Sequence, residues 1–335
     1  MLEAIENRAL LVLGGPGLRL QSTYHRPTGQ SSDSSTSQSV RGRLGVLFVN
    51  SLSLPRAASG DSAVHWADSI AGRGYPAFRI DLPGLGDSDG NASTDLLDSI
   101  NAGCFASVAS AATAQLVERF GLTGMVIFGH CAGSVSAVYA AAASPECKGL
   151  ILLDPYFHLP QAKRHKTREG LSEWARRSRV GRLLSNSYDQ ARNLRLWLRG
   201  NAPPGNANSP LLARWKQVAE AGMPILLLRA PGIKTQGAKP RVGEFDYIGH
   251  AVKLAGRKSR VSVEFVEDAD HSFANRLGRA AVKRHIADWL VLHFPLAAVS
   301  MTDDGVSPAR SGENQADARK PQTAPDDRRC ALEGR

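Results

Sequence analysis

The stretch 125–140 reads MVIFGHCAGSVSAVYA and decides how the rest of the chain is interpreted. Four apolar residues lead into the pentapeptide GHCAG, and a run of small residues follows, which predicts a strand, a sharp turn and a helix. The pattern is that of the nucleophile elbow, G-x-S-x-G, with Cys131 in place of the serine at the tip of the turn. Only small neighbours fit beside such a turn, and Gly129 and Gly133 supply that room. The other reading is a buried cysteine at the start of a core helix, since free cysteines are commonly buried.

The elements around this elbow alternate between strands and helices. Continuous apolar runs predict buried strands over residues 46–49, 75–81, 150–153, 225–228 and 261–266, and helical spacing predicts helices over 63–71, 94–120 and 275–293. Such alternation is typical of a mostly parallel sheet with helices on both faces, the α/β class. A serine-rich stretch within residues 22–42 predicts an exposed loop between an N-terminal hairpin and the sheet.

Two further motifs carry a resemblance to a known family. The strand over 75–81 continues into an R-x-D-L-x-G-x-G-x-S loop, formed by Arg79, Asp81, Leu82, Gly84, Gly86 and Ser88. The segment Asp-His-Ser-Phe at 270–273 follows the last predicted strand. With these motifs and the elbow, residues 8–294 resemble the α/β-hydrolase superfamily, and within it the bacterial hydrolases found beside exosortase systems. The resemblance implies the α/β-hydrolase fold with a helical cap inserted after the sixth strand.

The same resemblance implies roles for individual residues. Cys131 is the candidate nucleophile, and the helix that begins after it favours the thiolate. His271 is the candidate general base and acid, because the superfamily carries its catalytic histidine in such a segment. The oxyanion hole is expected from the backbone N–H of Ala132 and from one near Leu52, in the loop after the third strand. His130 is expected to pack behind the elbow rather than to react.

The carboxylate that orients His271 is left open by the sequence. The superfamily usually places it just after the seventh strand, but the corresponding loop, 230–237, contains no carboxylate. Asp246 is one option, although it lies at the predicted start of the next helix. Asp154 is the other, because it ends the sixth strand and catalytic groups in open α/β sheets gather at the carboxyl ends of strands. A structural role in capping the following loop is the alternative for Asp154.

The positive charge of the chain is concentrated in one segment. The 335 residues include 41 Lys or Arg and 31 Asp or Glu, a formal net charge of +10. Residues 156–216 contain 13 Lys or Arg and 3 Asp or Glu, so this segment alone has a surplus of +10. Apolar residues at helical spacing within it predict basic amphipathic helices that form the cap over the active-site mouth. The hydrolase core is then expected over 1–155 and 217–298, with a disordered tail over 299–335.

The basic cap suggests what the protein binds. Its field would attract an anionic small-molecule acyl substrate, or an acyl group borne by an anionic carrier. Arg176, Arg177 and Arg179 are the candidate contacts. A solvated basic surface without a ligand is the other reading, since charge-rich helices usually are such surfaces.

Several classes of partner and cofactor are not expected. No nucleic-acid motif accompanies the basic charge, and no apolar stretch approaches the ~20 residues of a membrane span. Neither a P-loop nor a dinucleotide-binding glycine turn is present, so no cofactor is implied. The 4 cysteines form no CxxC pair, which argues against a metal site and suits a reducing cytoplasm.

The sequence therefore predicts a cytoplasmic hydrolase that acts on an ester, lactone or thioester through a Cys-His(-Asp) acyl-enzyme. One alternative is an acyltransferase, in which a bound alcohol or amine replaces water in the second step. A second alternative, from another class, is a catalytically silent binding protein with the hydrolase fold. It is motivated by the missing carboxylate after the seventh strand.

Overall fold

The computed structural model describes residues 7–15, 17–27, 40–49, 52–159, 203, 205–231 and 245–296. Its centre is an eight-stranded sheet with the order β1-β2-β4-β3-β5-β6-β7-β8. The strands are β1 (Arg8–Gly15), β2 (Leu18–His25), β3 (Leu44–Phe48), β4 (Ala77–Ile80), β5 (Gly124–His130), β6 (Cys147–Leu153), β7 (Ile225–Arg229) and β8 (Val261–Phe265). The first two form an antiparallel hairpin and β2 is antiparallel to β4, whereas all other pairs are parallel.

Helices cover both faces of this sheet. They are α1 (Ser62–Ala71), α2 (Leu96–Asn101), α3 (Ala106–Phe120), α4 (Ala132–Ala143), α5 (Ser209–Glu220), α6 (Tyr247–Ala255) and α7 (Arg276–His293). One apolar core lies between the sheet and α2 to α6, and the second lies between the sheet and the pair α1 and α7. The predicted fold class, a mostly parallel α/β-hydrolase sheet with helices on both faces, is confirmed.

The strand β5 shows why the central strands are apolar throughout. Met125 and Ile127 belong to the core on one face, while Val126 and Phe128 belong to the core on the other. Because successive side chains point to opposite faces, a strand covered on both sides needs an unbroken apolar run. The apolar run that leads into the elbow is therefore set by burial and fixes the direction in which Cys131 leaves the sheet.

Two predicted boundaries were wrong. The helix predicted over 94–120 is two helices, because Gly103 adopts a φ of +78° and a Cβ there would lie 2.6 Å from the ring of Tyr139. The loop predicted to begin at residue 22 begins later, because β2 continues to His25. It pairs with β4 and buries Ser22 completely.

Helix α5 begins inside the segment predicted as the cap, residues 156–216. Its Leu211 and Trp215 are fully buried in the larger core, so the end of that segment belongs to the layer that covers the sheet. Residues 160–202, with the candidate contacts Arg176, Arg177 and Arg179, lie outside the described part of the chain. The tail residues from 297 onward lie outside it as well. None of the helices within the described ranges has the length and hydropathy required to cross a membrane.

Candidate active site

The elbow is a strained turn tied to the neighbouring strand. Cys131 lies between β5 and α4 with φ +51° and ψ −115°, a conformation that residues with a side chain rarely adopt. Its backbone N–H donates to the Leu153 carbonyl at 2.9 Å, and the Ser134 hydroxyl donates to the carbonyls of Gly129 and Leu153 at 2.9 and 3.2 Å. A strained backbone persists only where its surroundings hold it, and here the end of β6 does so.

Gly129 is required by the close approach of strand and helix. A Cβ at this position would lie 2.3 Å from the carbonyl oxygen of Gly133 and 2.6 Å from the backbone nitrogen of Ser134. Both atoms belong to the backbone of the first turn of α4, which cannot move aside as a flexible side chain would. Gly129 therefore has the steric reason that the motif predicts.

His271 is hydrogen-bonded to a fully buried carboxylate. Its Nδ1 donates to Oδ2 of Asp154 over 2.9 Å, and Oδ1 of Asp154 accepts the backbone N–H of Ala230, also at 2.9 Å. Asp154 is 0% exposed and follows β6 directly, whereas His271 lies in the loop after β8. Two hydrogen bonds compensate the burial of this charge, and together they fix the plane of the carboxylate.

The electrostatics of the site favour a protonated His271. The hydrogen bond to Asp154, followed by the interaction with the Cys131 sulfur, raises the pKa of His271 to about 10 against the opposing effect of burial. With Nδ1 bonded to Asp154, Nε2 is the ring nitrogen that remains for Cys131. Asp154 and the Cys131 sulfur therefore both favour the protonated imidazole of His271.

Asp246, the other candidate for the carboxylate that orients His271, caps a helix instead. Asp246 precedes α6, and its Oδ1 accepts the backbone N–H of Gly249 at 2.9 Å. This is the geometry of a helix N-cap, in which an aspartate satisfies one of the unpaired donors of the first turn. Of the two carboxylates that the sequence ranks equally, the structure brings Asp154 to His271 and places Asp246 at the start of α6.

The two free cysteines within the described ranges differ sharply. The side chain of Cys131 is partly exposed, whereas that of Cys147 is buried at the start of β6. Burial raises the pKa of Cys147 to about 12. Its thiol makes long contacts of 3.4 Å to the carbonyl of Gly149 and 3.8 Å to the sulfur of Met223. Cys147 is therefore neither accessible nor ionised near neutral pH, whereas Cys131 can be reached from solvent.

Two backbone N–H groups were predicted to form the oxyanion hole. Ala132 is the first residue of α4, and the first N–H groups of a helix have no acceptor within the helix. Leu52 lies in the loop after β3 with a φ of +48° and is 39% exposed. Both residues therefore lie at the carboxyl end of the sheet, on the loops that the motif requires.

The loop that carries Leu52 is fastened by an arginine that the sequence did not single out. The backbone N–H of Arg56 donates to Asp81 at 2.7 Å, and its guanidinium pairs with both Asp81 and Asp87. Arg79 in turn donates to the Arg56 carbonyl at 2.9 Å. The R-x-D-L-x-G-x-G-x-S loop thus anchors the loop after β3, and no composition or spacing signal could have identified Arg56.

His130 packs behind the elbow. It is 7% exposed, and its Nε2 lies 2.6 Å from the backbone carbonyl oxygen of His271. Burial, followed by the charge of His271, lowers the pKa of His130 to about 4, so the ring is neutral and Nε2–H donates this bond. The buried ring therefore holds the loop on which His271 lies.

Across the described ranges, no group of three or more His, Cys, Asp or Glu side chains could hold a metal ion.

Comparisons with known proteins agree with the fold. The model of the alpha/beta hydrolase fold family matches residues 46–210. An esterase of Pyrococcus furiosus superimposes with a TM-score of 0.56 at 11% identity, over 87% of this chain and 92% of that one. The alpha/beta hydrolase GrgF of Penicillium sp. sh18 gives 0.55 at 14% identity, over 86% and 99%. Est1E of Butyrivibrio proteoclasticus gives 0.50 at 13%, over 84% and 99%.

Identities of this size show a shared fold. A comparison with curated protein sequences found no match. The family match over residues 46–210, which include the elbow, and the similarity in fold support a place in the α/β-hydrolase superfamily and a hydrolase enzyme.

Proposed function

We propose that the protein hydrolyses an ester, lactone or thioester through an acyl-enzyme formed on Cys131. His271 is the general acid and base, and Asp154 is the carboxylate that orients it. The observation that carries the proposal is the 2.9 Å hydrogen bond from His271 Nδ1 to the buried Asp154, with Cys131 interacting with the same ring. A carboxylate from β6 thus takes the place of the one missing after β7, which favours an active enzyme over a silent binding protein.

Acylation begins from the state in which the proton of the Cys131 thiol has moved to His271. The thiolate of Cys131 attacks the carbonyl carbon, and the electron pair of the C=O bond moves onto oxygen. The N–H groups of Ala132 and Leu52 stabilise this oxyanion. When the intermediate collapses, the bond to the leaving alcohol or thiol breaks, and His271 supplies the proton that the leaving group takes. A thioester to Cys131 remains, with a neutral imidazole beside it.

Deacylation reverses these roles. The neutral His271 removes a proton from water, and the resulting hydroxide attacks the thioester carbon. The same N–H groups hold the second oxyanion until the carbon–sulfur bond breaks. The acid product leaves, and the thiolate and the imidazolium are restored. Asp154 stabilises the imidazolium in both halves of the cycle and does not itself take up a proton.

The basic segment 156–216 supports a substrate class. Its surplus of +10 favours an anionic substrate, or an acyl group borne by an anionic carrier, with Arg176, Arg177 and Arg179 as contacts. A reducing cytoplasm, in which a thiol nucleophile stays reduced, suits this chemistry. We expect no cofactor and no nucleic acid partner.

The test is to trap the acyl-enzyme by mass spectrometry. The protein is incubated with p-nitrophenyl acetate and with acetyl and longer acyl thioesters, and the labelled peptide is sequenced. We expect one acyl group on Cys131 and none on Cys131→Ala, which should be folded and inactive. Full turnover by Cys131→Ala would end the proposal. Added alcohols and amines distinguish hydrolysis from acyl transfer: a product that contains the added nucleophile, formed faster than the free acid, would show a transferase.

A further inference from the structure

A buried tyrosine beside the elbow has no role in the mechanism described so far. Tyr156 lies two positions after Asp154, in the loop that follows β6, and is only 4% exposed. Its phenolic oxygen is buried and has no hydrogen-bond partner among the residues that the structure describes. In contrast, the hydroxyls of Tyr75 and Tyr139 donate to backbone carbonyls at 2.7 and 3.0 Å. A buried polar group without a partner destabilises the folded protein, so Tyr156 calls for an explanation.

The sheet places Tyr156 next to the nucleophile. Strands β5 and β6 are parallel neighbours whose last pair is His130 with Leu153, and the N–H of Cys131 donates to that Leu153. The chain therefore leaves β6 alongside the elbow, with Tyr156 three residues further on. Burial raises the pKa of Tyr156, and the charge of the Cys131 sulfur raises it further, which agrees with this placement on the elbow side of the loop.

Neighbouring aromatic rings hold this side chain in place. The ring of His158 packs against Tyr156 edge to face at 5.8 Å, and Tyr247 packs on His158 at 4.8 Å. The adjacent Phe157 is buried against Trp215 at 5.3 Å, which anchors the backbone on either side. A ring held in this way, with a free hydroxyl in the loop beside the elbow, is preorganised for a group that arrives only with the substrate.

We propose that Tyr156 is a catalytic residue whose hydroxyl donates a hydrogen bond to the oxygen of the acyl group bound to Cys131. This deepens the proposed function and rests on it. The carbonyl carbon is bonded directly to Sγ, so its oxygen lies over the elbow, on the side where the loop after β6 carries Tyr156. Tyr156 then joins the N–H groups of Ala132 and Leu52 as a third donor to the oxyanion, and it keeps its own proton throughout.

The chemistry of the hydroxyl fits this role. Because its pKa is raised, the phenol stays protonated and remains a donor over the whole working range of the enzyme. In the resting enzyme it has no acceptor in the described part of the chain, whereas the tetrahedral intermediate offers a negatively charged one. An interaction that is gained mainly in the transition state raises kcat with little effect on KM.

Tyr156→Phe is the direct test, because it removes one oxygen atom and keeps the ring. Loss of one oxyanion donor lowers kcat by ~10²–10³-fold. We expect a fall of about 10²-fold with KM nearly unchanged, measured with p-nitrophenyl acetate. Alkylation of Cys131 by iodoacetamide should keep its rate, because that reaction forms no oxyanion. The matched control is Tyr24→Phe, whose hydroxyl is also buried without a partner in the described ranges, but on β2, far from the elbow.

Three outcomes would overturn the inference. The first is a Tyr156→Phe variant as active as the Tyr24→Phe control. The second is an equal loss of turnover and of iodoacetamide alkylation, which would show that the hydroxyl acts on the sulfur itself. The third is a loss of activity that follows a lower midpoint of urea unfolding. Failure of the proposed function looks different, because it requires turnover by Cys131→Ala.

Discussion

The hydrogen bond between Asp154 and His271 permits a quantitative prediction for Asp154→Asn. Asparagine keeps the shape of the side chain, and its oxygen can still accept the N–H of Ala230, so the fold should survive. The negative charge opposite Nδ1 of His271 is lost. A hydrogen bond to a charged group contributes ~1.5–3 kcal/mol. Since 1.36 kcal/mol corresponds to a factor of ten in rate, we expect kcat/KM to fall by ~10- to 150-fold.

The same substitution should change the pH dependence. Asp154 is the largest cause of the raised pKa of His271, about 10, so its removal lowers that pKa. The proposed mechanism needs His271 protonated, and the basic limb of the kcat/KM profile should therefore move toward neutral pH. An opposite charge at this distance shifts a pKa by ~1–3 units, which sets the size of the movement.

Stability follows from the sign of the pKa shift. His271 has a higher pKa in the folded protein than the value of ~6.5 in the unfolded chain. Its stabilising contribution is complete below pH ~6.5 and is lost as the pH rises through about 10. We expect the stability advantage of the wild type over Asp154→Asn to disappear over that range, measured by urea unfolding.

We would measure kcat/KM for p-nitrophenyl acetate between pH 6 and pH 11, in steps of ~0.5 pH unit. The wild type, Asp154→Asn and the matched control Asp246→Asn are compared. Asparagine is also a good N-cap, so the control should keep its rate within about twofold and its basic limb in place. A basic limb that does not move in Asp154→Asn would refute the reasoning. So would a larger loss of rate in Asp246→Asn.

The remaining predictions concern the thiol, the elbow and the basic segment. Iodoacetamide should label Cys131 long before Cys147, whose pKa burial raises to about 12; equal labelling in peptide maps would contradict this. Gly129→Ala should cost ~1–3 kcal/mol in urea unfolding by overpacking the elbow, whereas Gly205→Ala, which meets nothing within 4 Å, should be nearly neutral. Salt should lower kcat/KM for an anionic ester and leave that for a neutral ester unchanged if the segment 156–216 captures the substrate; equal responses would indicate a solvated surface.

The fold could be predicted because it depends on patterns that are local in the sequence. Strands covered on both faces must be apolar throughout, as residues 125–128 are, and such runs alternate with helical patterns along the chain. The elbow could be recognised because steric crowding permits few residue types there. At position 129 any Cβ would lie 2.3 Å from the carbonyl oxygen of Gly133, so only glycine fits. The break at Gly103 was not predicted, since it results from contact with Tyr139, which is distant in sequence.

The members of the candidate site were harder to predict in proportion to their dependence on tertiary contacts. Asp154 and Asp246 each follow a plausible pattern, and only the spatial arrangement of the loops after β6 and β8 brings one of them to His271. Arg56 holds the loop after β3 by pairing with Asp81 and Asp87, which are more than twenty positions away in the sequence. Tyr156 is identified by its buried hydroxyl, which has no hydrogen-bond partner in the described part of the chain. No residue type or spacing encodes such relationships.

The position of the acid has a consequence for how the site is held together. The Leu153 carbonyl accepts the N–H of Cys131, and the next residue, Asp154, binds His271, so two consecutive residues at the end of β6 position both candidate catalytic residues. The N–H of Asp154 donates to the Leu228 carbonyl at 2.8 Å, and Oδ1 of Asp154 accepts the N–H of Ala230. Asp154 is thus held by backbone groups of β7 and of the residue that follows it, and by none of their side chains. In this arrangement the loop after β7 need not supply a side chain. Its lack of a carboxylate is therefore compatible with an active site whose acid is fixed by the sheet.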